Sequence, residues 1–231
     1  MKERTIRVTG KGKISVKPDL TIISVGISGK DKEYSVMLEK SAQMIVALKK
    51  LFIEVGIDPA EVKTASFGID TVYRTVEECQ NDGVNIPDFL REKKKIFDGY
   101  RFDHRVKVKF DSDNKLLGRI LYKLGNSELN PEFDINYSIR DKEAAKNKLL
   151  EEAVADSKEK AIIITKAAGI NLGEIVAIDY SWEEIELLRS PVNVFKAASR
   201  YEYEDEDCYP VDINPEDITA EDTVTVVWSI S

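Results

Sequence analysis

The chain has 231 residues, 42% hydrophobic and 33% charged, enough apolar surface to bury a sizeable core in one large domain or two small ones. A net charge of −8 argues against general nucleic-acid or anionic-membrane binding, which needs a basic surface. Two cysteines, Cys79 and Cys208, are too few for a disulfide framework or a zinc motif and leave only a single bridge open, in an oxidising compartment. The opening MKERTIRVTG lacks the apolar stretch of an export signal, and no window reaches the ~18 to 20 apolar residues of a membrane span, so the expectation is a soluble cytoplasmic chain with no transmembrane segment.

In residues 5–27, Ile6, Val8, Ile14 and Val16 share one parity and Thr5, Arg7, Thr9, Lys11, Lys13, Ser15 and Lys17 the other, as in a strand with one wet face. Gly10 and Gly12 fall on the apolar parity. Glycine there marks a bulge, or a place where another backbone or a helix comes close, so the reading is one long bent strand. Pro18-Asp19 turns the chain into a second strand, 20–27, expected antiparallel to the first. Residues 31–55 place Tyr34, Met37, Leu38, Met44, Ile45, Leu48, Phe52 and Val55 at three- and four-residue steps, an amphipathic helix capped by Gly56. A turn at Asp58-Pro59-Ala60-Glu61 leads into a strand over 62–73. Residues 75–96, with Asn81-Asp82-Gly83, Pro87 and a basic run, are read as an insertion, either a surface loop or an extended hairpin tip.

The strand 99–110 is the clearest in the chain: Tyr100, Phe102, His104, Val106, Val108 and Phe110 alternate with Arg101, Asp103, Arg105, Lys107 and Lys109. Its sheet should have helices on one face and solvent on the other. A short helix over 111–124, with an Asp or Ser cap, and a strand over 129–139 follow. Residues 141–168 form the longest helix, with Leu149, Ala153, Ser157, Ala161, Ile164 and Ala168 as a stripe of mostly small residues that permits close approach to a sheet. Gly169 caps it before a strand at 172–180. Residues 181–212 are a second irregular insertion, holding the acidic-aromatic run 201–207, and 217–230 form the last strand, its apolar parity interrupted by Asp222. The sequence G-I-D-P-A-E-V-K-T-A after the first long helix is echoed by G-I-N-L-G-E-I-V-A-I after the last. Weak internal duplication and shared turn chemistry both account for this.

Four stretches together resemble one family. V-T-G-x-G-x-(I/V)-x-V-x-P-D lies in the opening strand, G-Y-R-x-x-x-x-V-x-V begins at Gly99, A-V-A-D-x-x-x-K-A runs through 153–161, and I-x-P begins at Ile213, with Glu216 where the family has glycine. In this order they resemble the SIMPL family, the YggE-like proteins. The resemblance implies a single α+β domain over 1–231, of mainly antiparallel twisted sheet with helices packed on one face, often self-assembling. It also implies a role tied to envelope or stress phenotypes in bacteria and to kinase-associated signalling in animals. Because relatives of this kind are often exported, it implies an exported or periplasmic protein wherever a signal has been removed.

The search for chemistry returns mostly structural readings. His104, the only histidine, sits between Phe102 and Val106 on an apolar parity, where a hydrogen-bonded core histidine is favoured over a catalytic one. Gly10-x-Gly12 lacks the third glycine and following helix of a dinucleotide site, and no phosphate loop occurs elsewhere, so no cofactor is expected. Asp156 and Lys160, one helical turn apart, read as a surface ion pair. Residues 202–207 lack the alternating ligands and turn glycine of a calcium loop.

The leading reading is a non-enzymatic homo-oligomer. An adaptor that binds a protein partner through 201–207 and an unrecognised hydrolase are the alternatives. The candidate interaction residues are a basic sheet face, namely Arg101, Arg105, Lys107 and Lys109 with Arg7, Lys11 and Lys13, and the acidic loop Tyr201, Glu202, Tyr203, Glu204 and Asp205.

Overall fold

The computed structural model describes residues 4–77, 93–180, 188–192 and 213–231; among the residues of its strands, the side chains of Glu77, Lys93 and 188–192 are outside the description. In chain order the elements are β1 (Thr5–Val16), β2 (Leu20–Asp31), α1 (Tyr34–Glu54), the short 3-10 helix Pro59–Glu61, β3 (Lys63–Glu77) and β4 (Lys93–Asp111). They continue as α2 (Asn114–Gly125), β5 (Glu132–Ser138), α3 (Lys142–Ala168), β6 (Leu172–Asp179), β7 (Leu188–Val192) and β8 (Ile218–Ile230). The strands divide into a three-stranded sheet, order β1-β8-β6, and a five-stranded sheet, order β3-β4-β2-β5-β7. The chain forms two compact units. The first takes its described residues from Met1–Thr21, Asn136–Pro191 and Ile213–Ser231, the second from Ile22–Ile135 and Val192–Asp212.

In the first unit β1 pairs antiparallel with β8 along its whole length, from Thr5 opposite Ser229 to Val16 opposite Ile218, without a register shift. The expected β1–β2 hairpin does not form: the two strands belong to different sheets. The Pro18-Asp19 corner is tied to the end of β5 instead. The Asp19 N–H donates to the Ser138 carbonyl at 3.2 Å, and the Asp19 carboxylate accepts the Arg140 N–H at 2.7 Å.

Helix α3 lies across β1 and β8. A Cβ on Gly10 would lie 2.0 Å from the Ala153 carbonyl oxygen and one on Gly12 2.0 Å from that of Leu149, so the glycines mark a helix in close approach and not a bulge. Ala145, Leu149, Ala153, Ser157, Ala161 and Thr165 form the buried stripe of α3. Beyond Ala161 the expectation is corrected. The four-residue step lands on Thr165, whose hydroxyl donates to the Ala161 carbonyl at 2.8 Å, while Ile164 and Ala168 face solvent. Two apolar clusters close the unit, one of Ile14, Ile139, Leu149, Ile218 and their neighbours, the other of Val8, Ala153, Ala161, Val224, Val226 and Trp228.

In the second unit Phe102, Val106, Val108 and Phe110 of β4 are buried and the intervening charged residues exposed, as the alternation requires. Helix α1 contributes Met37, Leu48 and Phe52 to the core, and α2, capped by the Asp113 carboxylate on the Lys115 N–H at 2.8 Å, contributes Leu117, Ile120 and Leu124. Helix α1 begins at Tyr34, later than the periodicity suggests, because Asp31 ends β2 and its carboxylate accepts the Glu33 N–H. The pairing of β3 with β4 runs from Lys63 opposite Lys107 to Glu77 opposite Lys93. The insertion read at 75–96 is therefore strand at both margins, and residues 78–92, with Cys79, lie outside the described residues. Likewise β7 is a strand inside the 181–212 segment read as irregular.

The two units share a plan. In the second, a strand, a helix and an antiparallel strand pair (β2, α1, β3, β4) give the order β3-β4-β2; in the first, β1, α3, β6 and β8 give β6-β8-β1. Both helices close alike: the Gly56 and Gly169 N–H groups reach Ile53 and Lys166, and the Ile57 and Ile170 N–H groups reach Phe52 and Thr165 at 2.9 and 3.1 Å.

Candidate interaction surfaces

The sequence points to charged rows, and the structure separates them. Arg7, Lys11 and Lys13 stand on β1 in the three-stranded sheet, and Arg101, Arg105, Lys107 and Lys109 on β4 in the five-stranded sheet, so the seven do not belong to one sheet. Most are also neutralised locally. Arg7 pairs with Asp179 at 3.2 Å, Lys11 and Lys13 with Glu221 at 2.6 and 3.5 Å, Arg101 with Asp103 and Asp70 at 3.0 and 3.7 Å, and Arg105 with Asp134 at 3.8 Å. Lys11, Lys13 and Arg101 find an acid opposite or diagonal on the adjacent strand, whereas Arg7 and Arg105 reach across one strand to β6 and β5, pairings that sequence parity alone does not reveal. Lys107 and Lys109 make no ion pair with a described residue, and Lys107 stands opposite Lys63. Tyr201, Glu202, Tyr203, Glu204 and Asp205 lie outside the described residues, as does Cys208.

His104 is hydrogen-bonded on one side, as expected, but it is only partly buried and so stands at the margin of the core and not in it. Its Nε2 is 3.2 Å from the Thr64 hydroxyl and its ring meets Phe67 edge-on at 5.1 Å. Its Nδ1 is buried with no hydrogen-bond partner, and desolvation, reinforced by the Lys49 charge, pushes its pKa below the ordinary histidine value. It is therefore predominantly neutral near pH 7. Among the described residues no three metal-binding side chains gather.

Asp156 does more than join an ion pair with Lys160. Its carboxylate accepts from the Lys160 ammonium at 2.7 Å and from the Lys11 backbone N–H at 2.6 Å, tying α3 to the outermost strand of its sheet. These two bonds hold its pKa below the ordinary carboxylate value. Opposite the A-V-A-D-x-x-x-K-A stretch stands the G-x-G stretch, so the two motifs are halves of one helix–strand contact.

Two surfaces that the sequence reading passed over are apolar. On β6, a terminal strand of its sheet, every residue after Leu172 is exposed, including Ile175, Val176 and Ile178. Its even apolar content reads as a core strand in the sequence, and only the sheet order reveals an edge.

In the second unit, β3 and β4 carry a row of edge-to-face aromatic pairs: Tyr73–Phe97 at 6.2 Å, Phe97–Tyr100 at 5.3 Å and Tyr100–Tyr34 at 5.4 Å, with Tyr34, Tyr73 and Phe97 about half exposed. The row stays on one face because the β4 register shifts by a residue between Phe97 and Gly99. Gly99 has φ +124°, and a Cβ there would meet the Asp31 carbonyl at 2.4 Å, so only glycine fits the start of the G-Y-R pattern. Beside it Asp98 accepts a hydrogen bond from the Lys30 ammonium, the principal cause of its lowered pKa.

Two curated relatives are similar over much of the chain. Each is described as a 26 kDa periplasmic immunogenic protein, one from Brucella melitensis biotype 1 (strain 16M) and one from Brucella abortus (strain S19). Each is 23% identical over 187 residues, covering 81% of this chain and 68% of the relative. No helix among the described residues is long and apolar enough to cross a membrane. The family model for SIMPL, proteins of unknown function (DUF541), matches residues 6–228, and the chain belongs to that family.

Proposed function

We propose that this protein is a non-enzymatic, self-assembling member of its family that works in the cell envelope. The observation that carries the reading is the β6 edge, where Ile175, Val176 and Ile178 are exposed beside a strand edge that no described residue pairs. Natural proteins cover, charge or pair such edges, and a second copy is the covering that needs no other partner. The envelope location follows the description of the two relatives as periplasmic. The hydrolase alternative lacks support at His104, whose Nδ1 has no carboxylate to orient it and whose Nε2 faces Thr64.

Light scattering after size exclusion tests the reading. The native chain should elute as a multiple of 26.1 kDa. Ile178→Lys, at a position 52% exposed, should move it toward the monomer mass with an unchanged melting curve. A native protein that is monomeric at micromolar concentration refutes self-assembly.

A further inference from the structure

Helix α1 packs on β4 and leaves β3 bare. Phe102 of β4 is fully buried, whereas Phe67 and Tyr73, on the same face of β3, are about half exposed. Leu38, Ala42, Ile45 and Lys49 form one stripe of α1 at three- and four-residue steps. This stripe faces β3, because the Lys49 charge acts on His104, which stands opposite Phe67. The other flank of α1 meets α2, where Lys123 pairs with Glu54 at 3.3 Å. No further α-helix among the described residues of this unit covers the β3 side, and Leu38 and the adjacent Val46 are exposed there. Between the stripe and the Phe67, Ile69, Thr71 and Tyr73 row lies an apolar groove.

The groove runs beside an open strand edge. β3 is terminal in its sheet, its register with β4 is unbroken from Ser66 to Val72, and that stretch holds neither lysine nor proline, the residues that guard an edge. A Cβ on Gly68 would meet nothing within 4 Å. A cation stands at each end: Lys49 beside His104, and Lys95 on the Tyr73–Phe97 face. Neither makes a salt bridge with a described residue. Asp70, the one acid between Ser66 and Val72, lies on the opposite face with Arg101 at 3.7 Å.

We propose that the β3 edge binds an extended segment of a partner protein as an added strand, with alternate apolar side chains in the groove and acidic residues at both ends, on Lys49 and Lys95. Strand addition supplies backbone hydrogen bonds for affinity, and the groove reads every second side chain. The lysines select acidic ends. The β3 strand of a second copy does not match, because Lys63 and Arg74 flank it and would add charge to Lys49 and Lys95. The site lies in the five-stranded sheet and is independent of assembly through β6.

The test measures fluorescence anisotropy at low salt with two labelled peptides, Asp-Glu-Val-Thr-Ile-Thr-Val-Glu-Asp and the same peptide with lysine at its four acidic positions. The native chain should bind the acidic probe saturably and at least about tenfold more tightly than the basic one. Lys49→Glu/Lys95→Glu should reverse that preference, and Leu38→Glu should weaken both probes with an unchanged melting curve. Ile178→Lys, on the other sheet, should bind as the native chain does. Hydrogen exchange of the amides from Ser66 to Val72 should slow with the acidic probe. No saturable binding, an unchanged preference in the double variant, or no protection in β3 overturns the proposal. A native oligomer that the probe dissociates also overturns it, by showing that a second copy holds this edge. A monomeric native chain that binds the probe supports it and refutes only self-assembly.

Discussion

Gly10 and Gly12 show what a single missing Cβ permits. A methyl group at Gly10 would overlap the Ala153 carbonyl and the Ser157 backbone, neither of which can rotate away. Gly10→Ala should therefore force α3 off the sheet and cost about 3 kcal/mol or more, read as a fall in the urea midpoint. A midpoint within error of the native one would mean that the helix stands farther off. Asp156 offers a pH signature for the same contact. Its folded pKa is depressed, so its contribution is present above the ordinary value of 3.8 and is lost as pH falls from there through the depressed folded value. Asp156→Asn should lower stability at pH 7 and flatten the loss that sets in as pH falls past 3.8. Parallel stability–pH curves for native and variant proteins would show that the carboxylate charge is immaterial.

At the scale of elements, β4 is the sharpest test of facing. Phe102 is fully buried and Arg101 about half exposed. Phe102→Asp should bury an unpaired charge and cost several kcal/mol, roughly 3 or more, whereas Arg101→Asp should cost less than about 1 kcal/mol. Similar losses in thermal or denaturant midpoint would contradict the alternation.

Most of this level was legible in the sequence because period-two and period-3.6 patterns are local. The β4 parity, an Asp cap on α2 and the α3 stripe as far as Ala161 all rest on neighbours within a few residues. Strand pairing is not local. Nothing near Ile6 says that it lies opposite Trp228, and nothing in the apolar run of β6 says that no strand flanks its other side among the described residues. The same gap hid the acids beside Arg101 and Arg105 and made a neutralised row look like a basic face. The echoed cap sequences did carry long-range information, since both precede a strand at the end of a sheet built in the same order.

At the scale of the whole molecule, the first unit is assembled from three separate stretches of chain, and its central strand, β8, is the last to be made. Loop closure across more than two hundred residues is entropically costly and slow, so refolding should be limited by β1–β8 pairing, in the millisecond-to-second range typical of non-local sheets. Deleting residues 218–231 should leave β1 and β6 without their common partner and uncover Val8, Ala153 and Ala161. The truncated chain should lose hydrogen-exchange protection in β1 and α3. Protection equal to that of the full chain would show that the unit does not depend on its last strand.

The two ends of the three-stranded sheet are not equivalent. At β1 the Lys11 N–H is already taken by Asp156 and lysines line the strand, whereas β6 is apolar and, among the described residues, open. A sheet with one closed and one open margin cannot propagate as a continuous ribbon, because joining two open margins uses up both. Such a contact is self-complementary and lies on a dyad, so particles in which every β6 is engaged this way contain an even number of chains.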